Sequence, residues 1–184
     1  MKYAYIDAET GASPHEKRMA FKPSKFNNVK YGNTKDAGKR EVILKKAIKD
    51  WESGSGCALK AQTGEILLAC IAIDDGDIIS YDRRDMTEVE IIEAIRAPVN
   101  DLTVVGHNVV GFDLPFIARR CLILGIEPIR FDNRYAAGTL EDNCIHDTMK
   151  IWGMGDRQEM IKLDHLASIM GFGELPDFID EYMG

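Results

Sequence analysis

A mixed α/β fold, one central sheet flanked by helices, is what this sequence predicts, and three observations carry that expectation. Short runs of β-forming residues open the chain at Lys2 to Ala8 and recur at Ile66 to Ile73, Leu102 to Val105 and Asn143 to His146. Amphipathic helical patterns with start and stop signals cover Thr87 to Ala97, Leu114 to Gly125 and Ile161 to Met170. Strands that first follow one another and then alternate with helices give a sheet with both antiparallel and parallel neighbours.

Taken in order, Tyr3, Tyr5 and Ile6 make the opening strand, which ends at polar Glu9, Thr10 and Gly11. From Ala12 to Lys35 the chain is polar, with Pro14, Pro23 and Gly32, and reads as an unusually long loop. Thr34 to Ser53 reads as a helix, because Leu44, Ile48 and Trp51 form one stripe and Gly54 stops it. At 100° per residue Lys39, Lys45, Lys46 and Lys49 fall on its other side, so this insertion presents a basic face. Ile66 to Ile73 and Asp77 to Tyr81 form a hairpin across Asp74, Asp75 and Gly76. In the next helix Thr87 and Glu90 have capping-box spacing, Val89, Ile92 and Ile95 share a face, and Pro98 is expected to end it. The helix from Leu114 carries Pro115 in its first turn, where a missing N–H costs little. After the last strand a helix begins at Asp147, whose carboxylate suits an N-cap.

With 184 residues and 45% hydrophobic content the chain has material for one core, and the sequence is read as one domain, 1–184, with an insertion over 11–60. No run approaches a membrane span and Met1 leads directly into a strand, so a cytoplasmic protein with no membrane contact is expected. The cysteines at 57, 70, 121 and 144 are scattered without zinc-site spacing. Net charge is -7, yet residues 1–50 hold 12 of the 23 Lys and Arg and 6 of the 30 Asp and Glu, a local +6 against -13 elsewhere. That asymmetry suits contact with a polyanion on the basic side, although a solvated surface gives the same pattern.

Alternate residues of a strand share a face, so Asp7 and Glu9 project together if the first strand reaches residue 9. Paired carboxylates repel, and a divalent cation between them relieves the repulsion. Asp113 opens a helix, where a carboxylate is an ordinary cap, but the strand before it delivers that helix towards the same sheet edge. Asn108 reads as a turn residue and Phe112 as core in their own right.

With these residues in place, Asp7-Ala8-Glu9-Thr10 and Asn108-x-x-x-Phe112-Asp113 resemble the first two motifs of the DEDD (DnaQ-like) 3′→5′ exonucleases, which have an RNase H-like fold. The nearest resemblance is to families related to family-B polymerase proofreading domains, phage-type stand-alone members included. It runs through Gly106 to Phe116 and on to Ile126, and takes in Thr63 to Ala69, His146 to Met149 and Leu163 to Ala167. The resemblance implies that Asp7, Glu9 and Asp113 are catalytic metal ligands for two Mg²⁺ or Mn²⁺ ions, and that Thr10, His107, Asn108 and Phe112 contact the terminal nucleotide. The implied activity is hydrolysis of the terminal phosphodiester at the 3′ end of single-stranded DNA, with RNA as a close variant. The family's third motif, Tyr-x-x-x-Asp or His-x-x-x-x-Asp on a further helix, does not occur in Phe172 to Gly184, where only Asp177 and Asp180 could substitute. A partner protein supplying the missing element, or a non-catalytic nucleic-acid-binding module with an incomplete metal site, is the alternative expectation.

Overall fold

The computed structural model describes residues 2–19, 29–54, 56–129 and 145–172. Its elements are β1 (Tyr3–Ala12), α1 (His15–Met19), α2 (Ala37–Ser53), β2 (Gly64–Ile73), β3 (Ile79–Asp82), α3 (Glu88–Asp101), β4 (Thr103–Gly106), α4 (Asp113–Leu124), β5 (Ile145–Asp147), α5 (Thr148–Gly153) and α6 (Leu163–Ile169), with a 3₁₀ turn at Arg157–Glu159. The five strands lie in the order β3-β2-β1-β4-β5. β1 is antiparallel to β2 and parallel to β4, and β4 is parallel to β5, so the sheet is mixed as the element order implied.

The first strand reads out its own burial. Ala4, Ile6 and Ala8 are buried on one face, and Ile6 and Ala8 join Ile91, Ile92 and Ile95 of α3 and Leu114, Ile117 and Cys121 of α4 in one core cluster. The alternate residues Tyr5 and Asp7 lie on the opposite face and remain exposed. Period-two alternation thus decides both the core and the side from which Asp7 is reached.

Helix boundaries follow local chemistry. The Thr87 hydroxyl accepts from the Glu90 amide at 3.2 Å while the Glu90 carboxylate accepts from the Thr87 amide at 2.7 Å, which completes the capping box expected from the sequence. Thr87→Ala is expected to lower stability by about 1 kcal/mol, measured as a shift of the denaturant midpoint at unchanged slope. Pro98 does not end α3, which runs on to Asp101. A proline deprives one carbonyl of its partner, but buried Val99 anchors the last turn to the core and Leu102 N–H still donates to the Pro98 carbonyl at 3.1 Å.

Other boundaries shift as well. β1 is four residues longer at its end than the opening run suggested, with a register irregularity between Glu9 and Thr10. α1 interrupts the segment expected to be loop throughout. α2 starts after Asp36, which accepts from the Lys39 amide at 3.0 Å, and Gly54 closes it in the left-handed conformation. α6 begins at Leu163, and of the run Asn143 to His146 only Ile145 and His146 are described residues. Among the described residues no helix is long and apolar enough to cross a membrane.

Two buried charges tie the layers together. Arg120 of α4 donates to both carboxylate oxygens of Glu88 on α3, from Nε to Oε1 at 2.8 Å and from Nη2 to Oε2 at 2.6 Å, and its Nη1 donates to the Ala61 carbonyl at 2.7 Å. Glu88 Oε1 also accepts from the Ile66 amide of β2 at 3.0 Å. One bidentate pair therefore joins two helices, a strand and the connection that precedes it.

Candidate active site

β1 outruns its parallel neighbour. It pairs with β4 only over Tyr3, Ala4 and Tyr5, whereas its pairing with β2 continues to Ala12. Asp7 and Glu9 therefore lie on a segment with β2 on one side and the β4–α4 connection on the other. Because the register irregularity comes after Glu9, the two carboxylates keep the shared face that their spacing implied.

The β4–α4 connection is shaped by small residues. A Cβ at Gly106 would lie 2.9 Å from the Ile6 carbonyl oxygen and 2.8 Å from the Val109 Cβ, so only glycine lets the chain leave β4 this close to β1. Asn108 then takes a positive φ of 60°, which asparagine tolerates, and its carbonyl accepts from the amides of Gly111 and Phe112 at 2.9 and 2.8 Å. Its side chain folds over Gly111, where a Cβ would collide with Oδ1. α4 starts directly after Phe112, which makes no side-chain cap, so Asp113 is the first helical residue and not the cap.

Asp113 is only 5% exposed. Its carboxyl is pushed up to about 7, first by burial and then by the negative charge of Asp7, with Glu9 adding to the repulsion and the amides of Asp113 and Ala8 opposing it. Asp7 keeps contact with solvent, yet enough protein surrounds it that lost hydration raises its carboxyl too, against the pull of the Ala8 amide and of His107. Asp7 and Asp113 thus draw on the same backbone amide from β1 and α4, and the negative charges of Asp7 and Glu9 both act on Asp113.

The remaining candidates have structural employment. His107 spans two elements: its Nε2 donates to the Ile161 carbonyl at 2.8 Å, and its Nδ1 lies 2.9 Å from the Thr148 hydroxyl. Phe112 packs on Phe116 with ring centroids 5.6 Å apart, and is half-buried against the core. Thr10 lies half-buried at the register irregularity, opposite Ile66. Asp147 is the N-cap of α5, and it has a second set of partners that its capping position did not reveal. Asp177 and Asp180 lie outside the described residues.

A groove of about 450 Å³ runs along the exposed sheet face beside Asp7, with Tyr5, Cys70, Ala72, Ile78, Val105 and Leu163 among its walls. Acidic and apolar surfaces therefore adjoin at one end of the sheet. Among the described residues, however, no group of three His, Cys, Asp or Glu side chains is disposed to hold a metal ion. The chemistry of the donors fits a divalent cation, since oxygen ligands suit Mg²⁺ and Mn²⁺ and a cation would relieve the repulsion at Asp113. The repulsion is present without a closed ligand set.

No protein-family model matches the sequence, and no curated protein matches it. The fold is similar to part of the family B DNA polymerase from the hyperthermophilic archaeon Pyrobaculum calidifontis, with a TM-score of 0.51 and 16% identity. The match covers 95% of this chain and 19% of the polymerase chain. At that identity the likeness is one of fold alone, and with the strand order it gives a mixed α/β sheet flanked by helices, consistent with an RNase H-like fold.

Proposed function

We propose that this chain is a metal-dependent nuclease that hydrolyses the terminal phosphodiester at the 3′ end of single-stranded DNA. The observation that carries the reading is the burial of Asp113, 5% exposed, where the negative charges of Asp7 and Glu9 act on it. A fold that confines like charges at a strand end destabilises itself, and such sites are enriched in function. Asp7, Glu9 and Asp113 are the residues that would hold two Mg²⁺ or Mn²⁺ ions, which would supply the charge needed to activate water and stabilise a leaving 3′ oxygen.

The substrate class rests on two supports. The fold neighbour is a DNA polymerase, and the exposed Lys39, Lys46 and Lys49 of α2 offer positive charge to a phosphate backbone. Lys45 shares that surface but pairs with Glu41 at 2.8 Å. Replacing Lys39, Lys46 and Lys49 with glutamate is expected to weaken oligonucleotide binding and flatten its salt dependence, read as a smaller slope of log K against log salt concentration.

The activity test is incubation of the protein with an oligonucleotide in Mn²⁺, with Asp7→Ala as control and DNA and RNA in parallel. Stepwise release of mononucleotides from the 3′ end by the wild type alone supports the proposal. The unclosed ligand set favours a second reading, a nucleic-acid-binding module without turnover. Binding of the oligonucleotide with no product in Mn²⁺ would establish that reading instead.

A further inference from the structure

We infer that Asp147 is a positioning residue for the candidate active site: its carboxylate holds the backbone of the β4–α4 connection that delivers Asp113 to β1. The register places Asp147 of β5 directly opposite Gly106, the last residue of β4, so its side chain stands where the connection begins. Oδ1 accepts from the Asn108 amide at 2.9 Å and Oδ2 accepts from the Val110 amide at 3.1 Å. The same Oδ1 accepts from Met149 N–H at 3.1 Å and faces Lys150 N–H at 3.4 Å, which is the capping function. One carboxylate, 4% exposed, therefore serves two segments, and helix capping alone would need only one of its edges.

The backbone amides of Gly111, Phe112 and Leu114 do not reach beyond the connection. Gly111 and Phe112 N–H return to Asn108, and Leu114 N–H returns to Val109, so these bonds close the connection upon itself. Outward it is held by hydrogen bonds from Asn108 and Val110 to Asp147, by the His107 bridge to Thr148 and Ile161, by the Thr148 hydroxyl on the Gly106 carbonyl, and by Val109 buried in the core. Asn108 is held at positive φ in the middle of this frame, and Asp113 follows five residues later. Removing the carboxylate leaves amides at 108 and 110 without their acceptor, and the connection then relaxes in the way that most directly moves the start of α4. Residues that orient ligand-bearing segments commonly alter metal affinity about 10- to 100-fold when replaced. The consequence for metal binding rests on the nuclease reading, whereas the clamp itself does not.

Asp147→Ser separates the two functions, because a serine hydroxyl caps α5 but cannot span to both loop amides. The first measurement is metal-free amide hydrogen exchange of wild type, Asp147→Ser and Asp147→Ala. Exchange at Asn108 and Val110 is expected to rise by about tenfold or more in the serine variant, while α3 keeps wild-type protection. Unchanged rates at these two amides would overturn the inference. The second measurement is Mn²⁺ binding by titration, expected to weaken about tenfold in Asp147→Ser. Faster loop exchange with wild-type Mn²⁺ affinity would overturn the positioning role, because the clamp would then act only on its own loop. If the wild type itself binds no Mn²⁺, the nuclease reading fails and the exchange measurement alone decides whether Asp147 holds the connection.

Discussion

Asp113→Asn is expected to abolish hydrolysis by at least about 100-fold, roughly 2.7 kcal/mol of transition-state stabilisation, while making the protein more stable at neutral and alkaline pH. Both effects come from one cause. The folded state raises the Asp113 carboxyl from 3.8 to about 7, so in that interval the folded chain binds a proton that the unfolded chain releases. The stability contributed by Asp113 is therefore fully present below about pH 4, declines as pH rises towards 7, and is lost above it. The full linkage amounts to roughly 4 kcal/mol, an upper bound for what a neutral side chain of the same shape can return. Asp7 is displaced in the same direction and adds to the slope. Thermal denaturation from pH 4 to pH 8 should show the wild type losing stability and Asp113→Asn losing much less. Adding Mn²⁺ at pH 8 should raise the wild-type melting temperature and leave the variant unmoved, since a ligand stabilises only the state that binds it.

The second large effect lies in the core. Arg120→Ala is expected to cost about 3–5 kcal/mol, because it strands the Glu88 carboxylate in a site where that residue is 4% exposed. Replacing both partners by apolar residues often restores stability in buried pairs, but here it should not do so fully. The Ile66 amide would lose Glu88 Oε1 and the Ala61 carbonyl would lose Arg120 Nη1, and each orphaned backbone group costs about 1–3 kcal/mol. Equilibrium denaturation of Arg120→Ala, Glu88→Leu and the double variant Arg120→Met with Glu88→Leu measures this. A double variant as stable as the wild type would show that the backbone groups find other partners.

What could be seen in the sequence was whatever depended on local periodicity. Period-two spacing put Asp7 and Glu9 on one face of β1, and the Thr87 to Glu90 spacing declared its capping box. That the charge of Asp7 would bear on Asp113 was suggested by the resemblance to a motif, and the helix position alone would have suggested a cap. Long-range chemistry was hidden. Arg120 and Glu88 are 32 residues apart and carry no periodic signal that pairs them. Asp147 was recognised as a cap because that function is local, while its hold on Asn108 and Val110 spans 39 and 37 residues. Pro98 misled for a related reason: its effect on α3 is set by the burial of Val99, which a propensity rule does not contain. The basic face of α2 was legible, but none of the residues of that helix is buried, so its lysines were readable as a surface and not as a site.

The central claim is that Asp7, Glu9 and Asp113 share a divalent cation, and diffraction from crystals soaked in Mn²⁺, collected for the metal's anomalous signal, tests it most directly. An anomalous peak within coordinating distance of Asp7 and Asp113 oxygens, lost in Asp113→Asn, is the predicted result. Crystals that take up Mn²⁺ only at sites away from these carboxylates, or not at all, would contradict the account.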